Sequence, residues 1–431
     1  MKYLIKNVKL PEEYGFGTES VFVEVNDRVF GEIGTSVPVT ESQYDRVIDG
    51  KGNLLIPGLY NMHCHAAMTI FRGYGEDLPL DRWLNEKIFP AEERLTEESV
   101  RVGTELAVAE MLASGVVSFS DMYMFEDVVA KVAIDTGIKA NLSRSIVSFD
   151  DGDPAKDHRF LESKALVSDF HGADDGRVLI DMSLHAEYTN TERMSRFIAE
   201  YAATNHLGVQ VHISETEKEH KECMERRDGR SPTKFFYDCG LFEARTTAAH
   251  CVWVTDEDMA LLREKKVAAA HNPVSNLKLG SGVMPLRRML DHGVLVTLGT
   301  DGAASNNNLD ILKEMQYAIL LGKGISRAPE SVLASEMLPL VTVNGALAQG
   351  RENCGKIKTG YRADAVLVDL DTVNTIPSYG YETTLLYSAR GSDVRMTMVD
   401  GRVLYENGDY KTIDIEKLKY QAKDVIKHYF D

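Results

Sequence analysis

Cysteines are too few and too scattered here to build a disulfide framework. The five, Cys64, Cys223, Cys239, Cys251 and Cys354, are odd in number and include no Cys-x-x-Cys pair. Free thiols in a reducing cytoplasm are the expectation. The chain lacks any run of about 18 uncharged apolar residues, the length a membrane-spanning helix needs. Its first residues, Met1 to Lys6, read as a strand and not as the apolar block of a signal peptide. Basic residues are in deficit: 48 Lys and Arg stand against 66 Asp and Glu, a net charge of −18. That balance argues against a nucleic-acid partner, which requires a basic surface. No short internal repeat or low-complexity tract interrupts the chain. What remains, 431 residues at 44% apolar and 26% charged, is ordinary globular composition with enough length for a large core.

Both ends of the chain are rich in short β-branched and aromatic runs. Val21 to Val25 is one such run, Ala365 to Leu370 and Val394 to Val403 are others, and a helix is expected from Ile413 to Tyr429. The two ends are expected to form one small β-domain from residues 1–56 and 352–431. The middle alternates differently. Apolar strands recur at Leu59, Val116–Ser120, Ile138–Arg144, Val178–His185, Val209–Ile213, Thr246–His250, Val267–His271 and Val294–Leu298. Amphipathic stretches such as Glu98–Ala113 and Thr191–Ala203 separate them. Eight βα units over residues 57–351 predict an α/β fold, a TIM-like (β/α)8 barrel whose active site lies at the C-terminal ends of its strands.

Histidines gather at those ends. His63 and His65 follow the run Leu54 to Tyr60, and strand alternation points both to one face while Cys64 points to the other. His212 and His250 each close a strand, and Asp301 follows Val294–Leu298. His63, His65, His212 and Asp301 supply three imidazoles and a carboxylate, a donor set for zinc with a position left for water. An ion there makes hydroxide available near neutral pH. Glu215, three residues past His212, is placed to shuttle protons, Asp301 can accept the proton of water, and His250 can hydrogen-bond the attacking oxygen. Cys64 and Cys251 adjoin these motifs, but alternation turns them into packing roles. His185 is read as a substrate contact and His271 as a structural group behind the site. His158, His171, His206, His220, His292 and His428 fall in helix or loop contexts and are read as surface residues.

Several longer motifs carry a resemblance. They are His63-Cys64-His65-Ala66-Ala67-Met68, Arg72-Gly73 with Glu76-Asp77, Trp83-Leu84 before Pro90-Ala91-Glu92, and Val211-His212-Ile213-Ser214-Glu215-Thr216. Ala249-His250-Cys251-Val252, His271-Asn272-Pro273-Val274-Ser275-Asn276 and Gly299-Thr300-Asp301-Gly302 through Asn307 complete the set. On these the chain resembles the amidohydrolase superfamily, and more narrowly its 5-methylthioadenosine/S-adenosylhomocysteine deaminases, over almost its full length. The resemblance implies one zinc per subunit, with iron or manganese as alternatives for a His3Asp site. It also implies hydrolytic loss of ammonia from an adenosine derivative. Glu92 matches a glutamate that holds the ribose hydroxyls, and Trp83 the tryptophan before it. Arg144, His185 and Ser305 match further substrate contacts, as does Arg159 across a loop of different length. The partner implied is a small nucleoside-type molecule, with neither nucleic acid nor membrane; a homo-oligomer is left open. One departure stands out. The family usually shows a proline and a tyrosine after the fourth-strand histidine, whereas this chain reads His185-Ala186-Glu187-Tyr188. Glu187 is expected either beside the pocket or as a solvated loop carboxylate.

Three rival readings follow. A guanine, 8-oxoguanine or cytosine deaminase, or a triazine hydrolase expelling chloride or an alkylamine, would use the same barrel, but Glu92 and Arg144 favour a nucleoside. A two-metal cyclic amidase commonly needs a bridging lysine at the fourth strand, and Val178 to Tyr188 contains none. A non-catalytic barrel used for assembly or binding would be expected to have lost ligands, and none is lost here.

Overall fold

A computed structural model describes residues 1–37 and 40–430, and the side chains of all of these but 428–430. Eight parallel segments form the barrel: Leu59–Cys64, Val116–Tyr123, Lys139–Arg144, Val178–Ile180 continued by Met182–Leu184, Val209–Ile213, Thr246–His250, Ala268–His271 and Leu295–Leu298. The ladder runs in sequence order from the first strand to the fourth and again from the fourth to the eighth. The last strand meets the first at the top, where the Asp301 N–H donates to the His63 carbonyl (2.9 Å). Asn61 also exchanges two hydrogen bonds with Thr300 there. Barrel strands are buried on both faces, which explains their near-continuous Val, Leu, Ile and Ala runs.

The fourth strand, expected as one run from Val178 to His185, is broken at Asp181. That carboxylate is 3% exposed and accepts from Arg245 (2.7 Å) and Asn141 (3.1 Å). Arg351 extends the buried polar layer, donating to the Asn141 side chain and to the Ala140 and Arg177 carbonyls.

The run Leu54 to Tyr60 also divides. Leu54–Pro57 pairs antiparallel with Ala365–Val368, whereas Leu59–Cys64 pairs with the second barrel strand. Gly58 stands between them because a Cβ there would lie 2.4 Å from Val117. The small β-rich domain thus draws on both termini. One sheet holds Lys2–Val8, Val21–Asn26, Val29–Gly34 and Arg46–Asp49, and the other is built on Ala365–Val368, Val394–Val399 and Arg402–Glu406.

A buried ion cluster fastens barrel to β-domain. Lys139, at the start of the third barrel strand, lies 2.5 Å from Asp364 and 2.7 Å from Asp400, with side chains 2%, 1% and 1% exposed. The helices run close to the expected ones, Glu97–Ala113, Glu192–Thr204 and Ile415–Phe430. Thr96 and Ser99 close the first with a reciprocal capping box, which satisfies two of its orphan N–H groups. Among the described residues, no helix is long and apolar enough to cross a membrane.

Candidate active site

Strand ends bring the expected side chains together. The rings of His63 and His65 lie 4.9 Å apart, those of His63 and His212 4.8 Å, and those of His212 and His250 5.5 Å. Ligand atoms of His63, His212 and His250 fall within 4.8 Å of one another, as do those of His63, His65 and Asp301. Hydrogen bonds fix which nitrogen each ring offers. His65 donates Nδ1–H to the Met122 carbonyl (2.7 Å) and His212 donates Nδ1–H to the His185 carbonyl (2.6 Å), so both present Nε2 to the centre. His63 Nε2 and His250 Nε2 are buried without a hydrogen-bond partner. Buried lone pairs that no donor meets are costly, and a cation among them removes that cost. The donor set therefore fits a divalent metal ion.

The electrostatics agree with that fit. Burial holds His63 and His185 down at about 4 and His271 at about 3, so these imidazoles are neutral at pH 7. For His65 burial pulls the same way, but Asp301 at 3.2 Å outweighs it and lifts the ring to about 9. Asp301 is the counterpart: burial opposes its charge, yet the His63 and His65 imidazoles hold it well below the usual carboxylate range.

Glu215 stands at the rim, 3.7 Å from His250 Nε2, and accepts from Ser281 Oγ (3.3 Å). Burial raises its pKa, as a general acid near neutrality requires. Beneath it Glu219, 6% exposed, accepts from the N–H groups of Ser214 (3.0 Å) and Glu215 (2.7 Å) and closes a capping box with Thr216. Burial, and then the Glu215 charge, raise Glu219 to about 7.

The expected substrate residues lie on different elements, and Glu92, His185 and Ser305 adjoin the centre. Trp83 is buried at the end of Leu80–Trp83, and Glu92 ends the turn Phe89–Glu92. Burial raises the Glu92 carboxyl against the opposing Tyr123 hydroxyl and the charges of His65 and Arg144. His185 packs 4.9 Å from the His212 ring, its Nδ1 3.2 Å from Thr189 Oγ1. Arg144 ends the third strand and is ion-paired with Glu162 (2.6 Å). Arg159 donates to the Val147 carbonyl (3.1 Å). Ser305, expected beside the substrate, turns its hydroxyl to Asp301 Oδ2 (2.9 Å).

Glu187 is not the solvated loop carboxylate that was one of the two expectations for it. It is fully buried and clasps Arg226 and Arg227, each at 2.6 Å, tying the turn after the fourth strand to the helix Glu217–Arg226. The five cysteines are all unpaired and buried, Cys64 and Cys251 included. The His428 side chain lies outside the described residues.

Two further residues escaped the sequence reading although their motif was quoted. The short helix Pro273–Lys278 carries Ser275, which donates to Asp301 Oδ2 (2.6 Å), and Asn276, whose Oδ1 accepts from His250 Nδ1 (2.8 Å). Their signal was the spacing Asn-Pro-x-Ser-Asn behind a strand-terminal histidine, which places two polar side chains on one helical turn facing the site. The backbone is also unusual there. Ser214 (φ 49°), His250 (φ 73°), Cys251 (φ 48°) and Asp301 (φ 60°) are non-glycine residues in the left-handed region.

The Amidohydrolase family model matches residues 54–404. The chain is 43% identical over 379 residues to a 5-methylthioadenosine/S-adenosylhomocysteine deaminase of Dictyoglomus thermophilum, covering 88% of each chain. It is 41% identical over 401 residues to a 5'-deoxyadenosine deaminase of Methanosarcina acetivorans, covering 93% of this chain and 91% of that one. Among solved structures, an adenosine deaminase from Xanthomonas campestris with bound zinc superposes with a TM-score of 0.90 at 29% identity, over 99% of this chain and 98% of its own. The chain belongs to the amidohydrolase family.

Proposed function

We propose that this protein is a zinc-dependent aminohydrolase that converts an adenosine derivative to its inosine-type product and ammonia. The candidate substrates are S-adenosylhomocysteine, 5-methylthioadenosine, 5'-deoxyadenosine and adenosine. The observation that carries the reading is the pairing of a buried His/Asp cluster with the buried Glu215 carboxyl, 3.7 Å from His250 at its rim. Relatives at 41–43% identity named as deaminases of such substrates support it.

His63, His65, His212 and Asp301 would hold zinc, which supplies Lewis acidity and lowers the pKa of a water to about 7. Glu215, whose pKa burial raises, is assigned to donate a proton to the ring nitrogen beside the carbon under attack. His250 Nε2 accepts a hydrogen bond from the attacking water. Asp301, kept ionised, takes a proton from that water as the carbon–oxygen bond forms and passes it to the amine; the carbon–nitrogen bond breaks to release ammonia, and the oxygen's second proton restores Glu215. Trp83 and Glu92 bind the nucleoside, with Glu92 on the ribose hydroxyls. Arg144, Arg159 and His185 line the remainder of the pocket, and Ser305 is assigned to holding Asp301. Residues 57–351 form the catalytic unit and residues 1–56 with 352–431 the supporting one, and the enzyme works in the cytoplasm.

Ammonia release by zinc-loaded protein over a panel of adenosine derivatives, free bases and triazines tests the reading. Turnover of an adenosine derivative is expected. Turnover of only a free base or a triazine would overturn the assignments of Glu92 and Arg144.

A further inference from the structure

The proton chemistry leaves unexplained a carboxyl on the helix Ile311–Ser326. That helix buries Ile311, Leu312, Met315, Ala318 and Ile319, and Glu314 lies fully buried among them. Taking a carboxyl out of water there is unfavourable, and a leucine would complete the apolar face without that penalty. The two groups Glu314 accepts from are neutral, and each belongs to a turn that supports the site. Its Oε1 accepts from Asn306 Nδ2 (2.7 Å), and the same amide donates to the Thr300 carbonyl (2.7 Å), next to Asp301. Its Oε2 accepts from the Val274 N–H (3.1 Å), next to Ser275 on the helix Pro273–Lys278. Ser275 and Ser305 both donate to Asp301 Oδ2, while Oδ1 faces His63 and His65 at 3.6 and 3.2 Å.

We propose that Glu314 is a positioning residue: by tying both turns to one helix, it fixes which oxygen of Asp301 the serines hold and which faces the His63–His65 pair. The inference rests on the deaminase reading and deepens it. Asp301 stands in the left-handed region (φ 60°), a conformation that persists only where its surroundings over-determine it. Asn306 pins the carbonyl before Asp301 and Ser275 pins its side chain, and Glu314 is the group that joins the two. Without that tie the Asp301 carboxylate is free to rotate. Rotation weakens its hold on a metal ion and misplaces the oxygen that handles the water proton. Trp83, Glu92 and Arg144 stand on other elements, so KM should not follow.

The test compares the wild type with Glu314→Leu, Glu314→Gln, Asn306→Ala and Glu314→Leu/Asn306→Ala, each first shown to unfold cooperatively. With zinc in excess, Glu314→Leu should lower kcat about tenfold and leave KM within about twofold. Its zinc affinity, read by competition with a chelator, should fall by about the same factor. Glu314→Gln keeps one acceptor but turns an N–H toward the other donor, so its kcat should fall about threefold. The double variant should lie within about threefold of the worse single, because Asn306 acts largely through Glu314. Wild-type kcat in folded, zinc-loaded Glu314→Leu overturns the proposal, as does wild-type zinc affinity. So does a rise in KM that matches the fall in kcat, or losses that multiply in the double variant. If the leucine variant does not fold, wild-type kcat in Glu314→Gln overturns the proposal by itself. If the wild type turns over no adenosine, the deaminase reading fails, and zinc affinity still decides the role of Glu314.

Discussion

Replacing Lys139 by methionine should unfold the protein far more readily than the loss of one side chain suggests. Lys139 is 2% exposed and holds Asp364 and Asp400, each 1% exposed, at 2.5 and 2.7 Å. Burial disfavours its charge, but Asp364, Cys354 and Asp400 outweigh that and raise its pKa above the ordinary lysine value. In the wild type this stabilisation is present below the ordinary lysine pKa of about 10.4 and is lost as pH rises through the higher folded value. Methionine fills much the same volume yet leaves two carboxylates buried without their cation. Breaking a buried pair this way costs about 3–5 kcal/mol. Arg362, 3.7 Å from Asp400, offsets a small part, so about 4 kcal/mol is expected. At a urea slope of about 3–4 kcal/mol per molar, the unfolding midpoint drops by about 1 M. Trp83 and Trp253 report the transition by fluorescence. Two controls make the reasoning testable. The triple variant Lys139→Met/Asp364→Asn/Asp400→Asn should recover most of the loss, because no uncompensated charge remains. The deficit of the single variant should fade at acid pH, where a buried carboxylate without its cation is relieved of its charge. A single variant within 1 kcal/mol of wild type, or a triple variant no better than the single, would refute the argument.

Other consequences are open to measurement. Glu215→Gln should lower kcat by about 10²–10⁴ with zinc content unchanged; loss of zinc instead would place Glu215 among the ligands. Zinc added at pH 7.5 should release between one and about two protons, one from His65, which sits at about 9 and must be neutral to ligate, and most of another from a water whose pKa the ion would bring to about 7. Affinity should then climb with pH up to that value, and calorimetry in two buffers of different ionisation enthalpy reads the count. Asn276→Leu should reduce kcat about 10–100-fold with KM little changed, since it frees His250 to present the wrong nitrogen; an equal loss in KM would contradict that role. Glu187→Ala should cost about 3 kcal/mol of stability through its two charge-assisted bonds and leave the order of substrate preference as it was.

The barrel was legible because a buried parallel strand needs an apolar run, and such runs recur eight times between turns. The centre was legible because five acceptors fall at the ends of those runs. What escaped notice depends on partners far apart in sequence. Nothing near Asp181 announces that Asn141 and Arg245 will break the fourth strand around it. Lys139 sits in what reads as an ordinary strand, and its aspartates lie 225 residues or more further on. Glu187 was noticed as a departure, but its arginines belong to a helix after the next strand. The apolar run at residue 54 looked continuous since hydrophobicity does not say which of two sheets a strand joins.

The left-handed residues at the strand ends carry a consequence for durability. Ser214, His250, Cys251 and Asp301 each hold a conformation costing of order 1 kcal/mol or more, sustained by the packed barrel below. On heating, these turns have the most to gain by relaxing, and they can do so while the ladder beneath remains intact. Inactivation should therefore run ahead of melting, and shelf life be limited by the rim and not by the core.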